Sequence, residues 1–96
     1  MERDEILEII SSHRTELDSF CVKSLAIFGS ITRGEATSQS DVDILVEFQG
    51  KATFKQYMKL KLFLQDLLVC YVDLVTPKGL KPRVRPYVEE EAVYVT

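Results

Sequence analysis

The sequence predicts an α/β or α+β domain built on a sheet of three or four strands, and three observations predict it. Apolar runs of strand length alternate with longer segments of helical period, glycine or proline closes most runs, and 96 residues leave room for one core. The composition, 46% hydrophobic and 28% charged, is that of an ordinary globular protein. A chain of this size buries roughly 60–68% of the surface its unfolded form exposes, so residues 1–96 are read as a single domain.

Residues 4–17 read as the first helix. Ile6, Leu7, Ile9, Ile10 and Leu17 supply its apolar stripe, and Glu2, Asp4 and Glu5 favour a helix N-terminus electrostatically. His13, the only histidine, falls among polar residues of this helix and is expected in solvent. Residues 24–28 form an apolar run stopped by Gly29 and read as the first strand. Residues 30–41, rich in Ser, Thr, Gly and acids, suit a short helical turn and a loop. Residues 42–48 are a second strand, broken by Gln49-Gly50.

Residues 53–68 carry Phe54, Tyr57, Leu60, Leu64, Leu67 and Leu68 at helical spacing, a packing stripe on a helix long enough for a crossover. Residues 69–75 are rich in β-branched side chains and end at Thr76-Pro77, which makes them the third strand. Pro82 and Pro86 confine the last helix to residues 82–90, and residues 92–95 are a short strand or an extended tail.

Composition excludes several function classes. A net charge of −3 provides no basic field for bulk nucleic-acid binding. The N-terminus is charged from its second residue and has no signal-peptide core, and no apolar run approaches the ~20 residues of a membrane span. Cys21 and Cys70 have neither CxxC spacing nor a nearby histidine, so they are expected as reduced, partly buried thiols in a cytoplasmic protein.

The chemistry concentrates in Gly29-Ser30, a ten-residue gap, and Asp41-Val42-Asp43 leading into an apolar strand. Gly29 has no Cβ, so a phosphate chain can approach its backbone closely. Ser30 offers a hydroxyl and a backbone N–H where a helical turn begins, a place that favours anions. Asp41 and Asp43, two apart at a strand mouth, point to one face, where their charges repel unless a cation joins them. A third carboxylate, Asp73, stands within the apolar run 70–75; an aspartate buried there is costly unless paired or metal-bound. Three converging carboxylates suit Mg²⁺, which completes its shell with substrate phosphates. A calcium loop is rejected because Asp43 runs straight into Ile44-Leu45-Val46. A two-metal site would let Asp41 and Asp43 hold the ion on the triphosphate and Asp73 complete the second ion's shell.

These residues resemble the signature of the DNA polymerase β-like nucleotidyltransferase superfamily. Gly-Ser-Ile-Thr-Arg-Gly-Glu-Ala, Ser-Asp-Val-Asp-Ile-Leu-Val-Glu-Phe and Val-Asp-Leu-Val are most similar to its minimal nucleotidyltransferase (MNT) branch. The resemblance implies a mixed sheet with helices packed against it, and transfer of AMP from ATP with release of pyrophosphate. It implies an antitoxin that adenylylates a tyrosine hydroxyl of a HEPN-domain toxin and so silences it. By the same resemblance Gly29 and Ser30 match the triphosphate-binding pair, Asp41, Asp43 and Asp73 the metal ligands, and Arg33 a basic position expected to touch phosphate or base. Two other readings stay open: an antitoxin that works by stoichiometric binding, and nucleotidyl transfer to a small molecule or RNA. The basic cluster Lys78, Lys81, Arg83 and Arg85 is expected beside the substrate phosphates, against an acidic partner, or simply in solvent.

Overall fold

A computed structural model of the chain describes residues 2–29, residue 32 and residues 41–95. The elements run α1 (Arg3–Ser11), α2 (Arg14–Ser19), β1 (Val22–Phe28), β2 (Val42–Phe48), α3 (Phe54–Leu68), β3 (Val72–Val75), a 3₁₀ turn (Pro77–Gly79), α4 (Arg85–Glu91) and β4 (Val93–Tyr94). The four strands make one mixed sheet in the order β3-β2-β1-β4. β1 pairs antiparallel with β2 and β4, and β2 pairs parallel with β3 across the α3 crossover.

Strand alternation divides the core between two faces. Leu25 and Ile27 of β1, Ile44 and Val46 of β2, and Val72 and Leu74 of β3 pack against Ile6, Ile10 and Leu17 and against Leu60, Leu64 and Leu68 of α3. The three α3 leucines are fully buried, and each contributes about 2 kcal/mol through burial alone. The opposite face is smaller: Ala26 and Leu45 are covered by Val88 of α4, with Phe28, Val75 and Leu80 at the margin.

Several boundaries differ from those expected. The first helix breaks at Ser12-His13. The Ser12 hydroxyl donates to Ile9 O and His13 Nδ1 lies 2.8 Å from the same oxygen, the acceptor that continuation would use for His13 N–H, which bonds Ile10 O instead. His13 is half-buried, edge-on to Phe63, rather than in solvent. β1 starts at Val22, with a register shift between Val22 and Ser24. β3 is shorter than expected because α3 runs to Leu68 and leaves through Val69 in the left-handed conformation, φ 53°. The last helix starts at Arg85, with Pro82 in the preceding turn and Pro86 in the first helical turn, where a missing N–H is harmless. Residues 93–94 do form a strand. Cys21 and Cys70 are both free, but Cys21 is exposed rather than partly buried. Among the described residues no helix is long and apolar enough to cross a membrane.

Candidate functional site

The candidate site lies where β1 ends and β2 and β3 begin. Phe28 faces Asp43 across the β1–β2 ladder, and Asp43 is the register partner of Asp73 across the parallel β2–β3 ladder. Neighbouring strands run about 4.8 Å apart, so Asp43 and Asp73 present their carboxylates side by side on one face, that of Ala26 and Leu45. Two bonding features fix this end: Val42 N–H donates to Tyr71 O at 3.1 Å, and α3 returns the chain to start β3 level with β2.

Gly29 is shaped by this neighbourhood. Its φ of +79° is one that L side chains rarely adopt, and a Cβ there would run into Asp43 Oδ2 and stand only 3.1 Å from Asp43 Cγ. The glycine therefore lets the Asp43 carboxylate lie against the backbone at the end of β1. Thr32, which the sequence reading did not single out, anchors the turn that follows: its N–H and its hydroxyl both donate to Gly29 O, at 3.1 and 2.8 Å. Ser30 and Arg33, expected to bind the nucleotide, lie outside the described residues.

Asp73 is exposed, and this corrects the expectation of a buried carboxylate. β3 is an edge strand whose Val72 and Leu74 point into the helix-covered core, which turns Asp73 to the opposite face, where the small α4 cluster reaches β3 only at Val75. Apolar neighbours in sequence signalled a buried strand, but only alternate residues of it are buried. Asp41 precedes β2 and is also exposed. It lies near the Cys70 thiol, whose pKa is raised first by burial and then by the Asp41 charge. Among the described residues no set of three His, Cys, Asp or Glu side chains is gathered closely enough to hold one metal ion. The structure thus pairs Asp43 with Asp73 and leaves Asp41 beside the pair rather than in a closed triad.

A stripe on α3 supports the edge strand that carries Asp73. Tyr57, Lys61 and Gln65, four residues apart, project along one line of the helix. The Tyr57 hydroxyl donates to Leu74 O, Gln65 Oε1 accepts from Val72 N–H at 3.3 Å, and Lys61 Nζ donates to the Tyr71 hydroxyl at 3.2 Å while standing 4.8 Å from its ring centre. The Tyr71 hydrogen bond holds the Lys61 pKa above its ordinary 10.5 against partial desolvation, and Tyr57 and Asp73 add smaller favourable charge effects. Asp73 is thus flanked on both sides by backbone groups tied to α3. Tyr57, expected only in packing, thus also bonds the edge strand, and the polar tips recurring every fourth residue beside the leucine stripe are the sequence signal of that role.

Two residues of the basic cluster, Lys78 and Arg85, line a cleft of 650 Å³ toward the far end of β2, with Val46 and Phe48. Asp43 and Phe48 are five residues apart on β2, about 17 Å at strand rise.

Comparison with known proteins agrees with this fold. A solved structure provisionally described as a minimal nucleotidyltransferase superposes with a TM-score of 0.75 at 38% identity, covering 97% of this chain and 95% of that one. The protein adenylyltransferase MntA of Thermococcus cleftensis is 41% identical over 93 residues, spanning 96% of this chain and 94% of its own. A complex of a tri-AMPylated HEPN toxin of Shewanella oneidensis with an MNT antitoxin shares the fold, with a TM-score of 0.66 at 17% identity over 94% of this chain and 71% of that one. The model of the nucleotidyltransferase domain matches residues 4–95. This chain belongs to the nucleotidyltransferase domain family.

Proposed function

We propose that the chain is a protein adenylyltransferase that moves AMP from ATP to a tyrosine hydroxyl of a HEPN-domain toxin and thereby silences it. The observation that carries this reading is the pairing of Asp43 with Asp73 in adjacent register positions beside Gly29. The relative named for protein adenylylation, alike over nearly the whole chain, supports it. The fold shared with an antitoxin bound to an AMPylated toxin agrees with it.

In the reaction the tyrosine oxygen bonds to the α-phosphorus of ATP. The bond from that phosphorus to the oxygen bridging the β-phosphate breaks, pyrophosphate leaves, and the phenolic proton passes to a carboxylate of the site. Gly29, with Ser30 after it, allows the triphosphate close to the backbone at the end of β1. Arg33 adds a positive charge for phosphate or base. Asp73, exposed on the open face, is reachable by an incoming hydroxyl and is assigned to accept its proton. Asp41, Asp43 and Asp73 are the candidate holders of Mg²⁺, up to two ions. Two adjacent carboxylates fit that group, because Mg²⁺ takes one or two from the protein and the rest of its shell from water and substrate phosphates. When bound, the metal neutralises triphosphate charge and stabilises the leaving oxygen. The reaction is assigned to the cytoplasm, where ATP is abundant and free thiols such as Cys21 and Cys70 stay reduced.

The test is incubation of the chain with α-labelled ATP, Mg²⁺ and the HEPN-domain protein. Label should appear on that protein and vanish for Asp41→Asn plus Asp43→Asn. Absence of label with the wild type refutes the assignment. A double variant that still neutralises the toxin with full potency would establish silencing by binding alone.

A further inference from the structure

We infer that the cleft at the C-terminal ends of β2 and β3 is a docking site for an acidic segment of the partner protein, separate from the reaction site. The inference rests on the protein-modifying activity proposed above, and it names where the substrate protein is gripped.

Three cations from three separate segments border this cleft: Lys51 in the loop after β2, Lys78 in the 3₁₀ turn and Arg85 at the start of α4. Glu47 is the one acid among the lining residues, and it is engaged by Lys23 at 3.4 Å. Arg85 is shared with Glu89 at 2.8 Å, but among the described residues neither Lys51 nor Lys78 has an ion-pair partner. Lys81 and Arg83, both exposed, continue the positive rim in sequence. A chain of net charge −3 thus concentrates positive charge at one place. Its overall field disfavours acidic proteins in general, and this cleft selects those whose acidic residues meet it in register.

The distribution favours a polypeptide over a lone phosphate group. A phosphate site draws backbone N–H groups to one point. Of the two helix N-termini beside the cleft, that of α3 is closed by its own capping box, with Thr53 Oγ1 accepting from Gln56 N–H at 3.1 Å and Gln56 Oε1 from Thr53 N–H at 2.9 Å, and that of α4, a helix of seven residues, has Pro86 in its first turn and so one N–H fewer to offer. Cations spaced over three segments around an open cleft instead match side-chain carboxylates along an extended chain. Beside Gly50 the space is open, with no heavy atom within 4 Å of where a side chain would begin.

The test uses the full chain and the HEPN-domain protein as the probe. Lys51→Glu with Lys78→Glu should slow association about tenfold at low salt, with the deficit shrinking as salt rises, since steering charges act mainly on the association rate. Binding of AMP-PNP should stay unchanged, and label transfer should recover at saturating HEPN protein. Lys51→Gln with Lys78→Gln, which only removes charge, should give a smaller slowing and guards against a folding artefact. Association rates unchanged in both variants overturn the inference. Parallel loss of AMP-PNP affinity also overturns it, by making the cleft a nucleotide site. If the wild type transfers no label yet charge reversal still slows association, the adenylyltransferase assignment falls while the docking site stands.

Discussion

The two ends of the β2–β3 pair are built from opposite materials. Asp41, Asp43 and Asp73 stand at the end where both strands begin, and Lys51, Lys78 and Arg85 at the end where both finish. Each end also has a glycine with positive φ, yet these differ: Gly29 at +79° is crowded by the Asp43 carboxylate, whereas Gly50 at +72° has open space. The acidic end is thus a place where side chains and backbone are forced together, and the basic end is a loose rim. In the proposed reading the first does chemistry and the second does recognition, so damage at the first should appear in turnover and at the second in association.

The largest effect that separates them is expected from Asp43→Asn, which should cut label transfer by about 10³-fold while leaving association with the HEPN protein nearly unchanged. A comparable loss of turnover from Lys78→Gln would erase the distinction. Next, the two glycines should respond unequally. Gly50→Ala should cost only the left-handed backbone penalty, about 1–2 kcal/mol, and Gly29→Ala more, read as the fall in thermal midpoint. The excess should shrink when Asp43→Ala accompanies Gly29→Ala; additive effects would show that the carboxylate is not what demands the glycine.

A smaller effect is expected from Tyr57→Phe, which removes the hydroxyl from Leu74 O. It should cost about 1 kcal/mol and lower turnover more than ATP affinity, because it loosens the strand carrying Asp73. Thr53→Ala, at the other end of the sheet, should cost a similar ~1 kcal/mol with turnover unchanged. The smallest effect concerns Lys61. Its raised pKa favours folding fully below the ordinary value of 10.5, and that contribution is lost as pH rises through the higher folded-state value. Stability curves of the wild type and Lys61→Met should therefore run parallel at neutral pH and approach one another only in strong alkali.

Much of this architecture was legible in the sequence. The period of α3 and the β-branched run of β2 define those elements nearly to the residue, and a long helix between two strands points to the parallel pair that aligns Asp43 with Asp73. What escaped was decided by neighbours distant in sequence. The exposure of Asp73 depends on β3 being an edge strand that the small α4 cluster reaches only at Val75, a property of sheet order rather than of the run 70–75. The break at His13 depends on the Ser12 and His13 side chains meeting at the Ile9 carbonyl. The place of Lys78 and Arg85 follows from strand direction, which composition does not reveal. Ser30 and Arg33 lie outside the described residues.

The ties that Tyr57 and Gln65 make to β3 bear on how molecules of this protein meet one another. An open sheet ends in rows of amides and carbonyls that can template a strand from a second molecule, the usual route to fibres and exchanged dimers. On β3, Val72 N–H and Leu74 C=O already have partners on α3, and the opposite edge, β4, is two residues long. Both borders are thus reduced as templates, one by the ties to α3 and the other by its length.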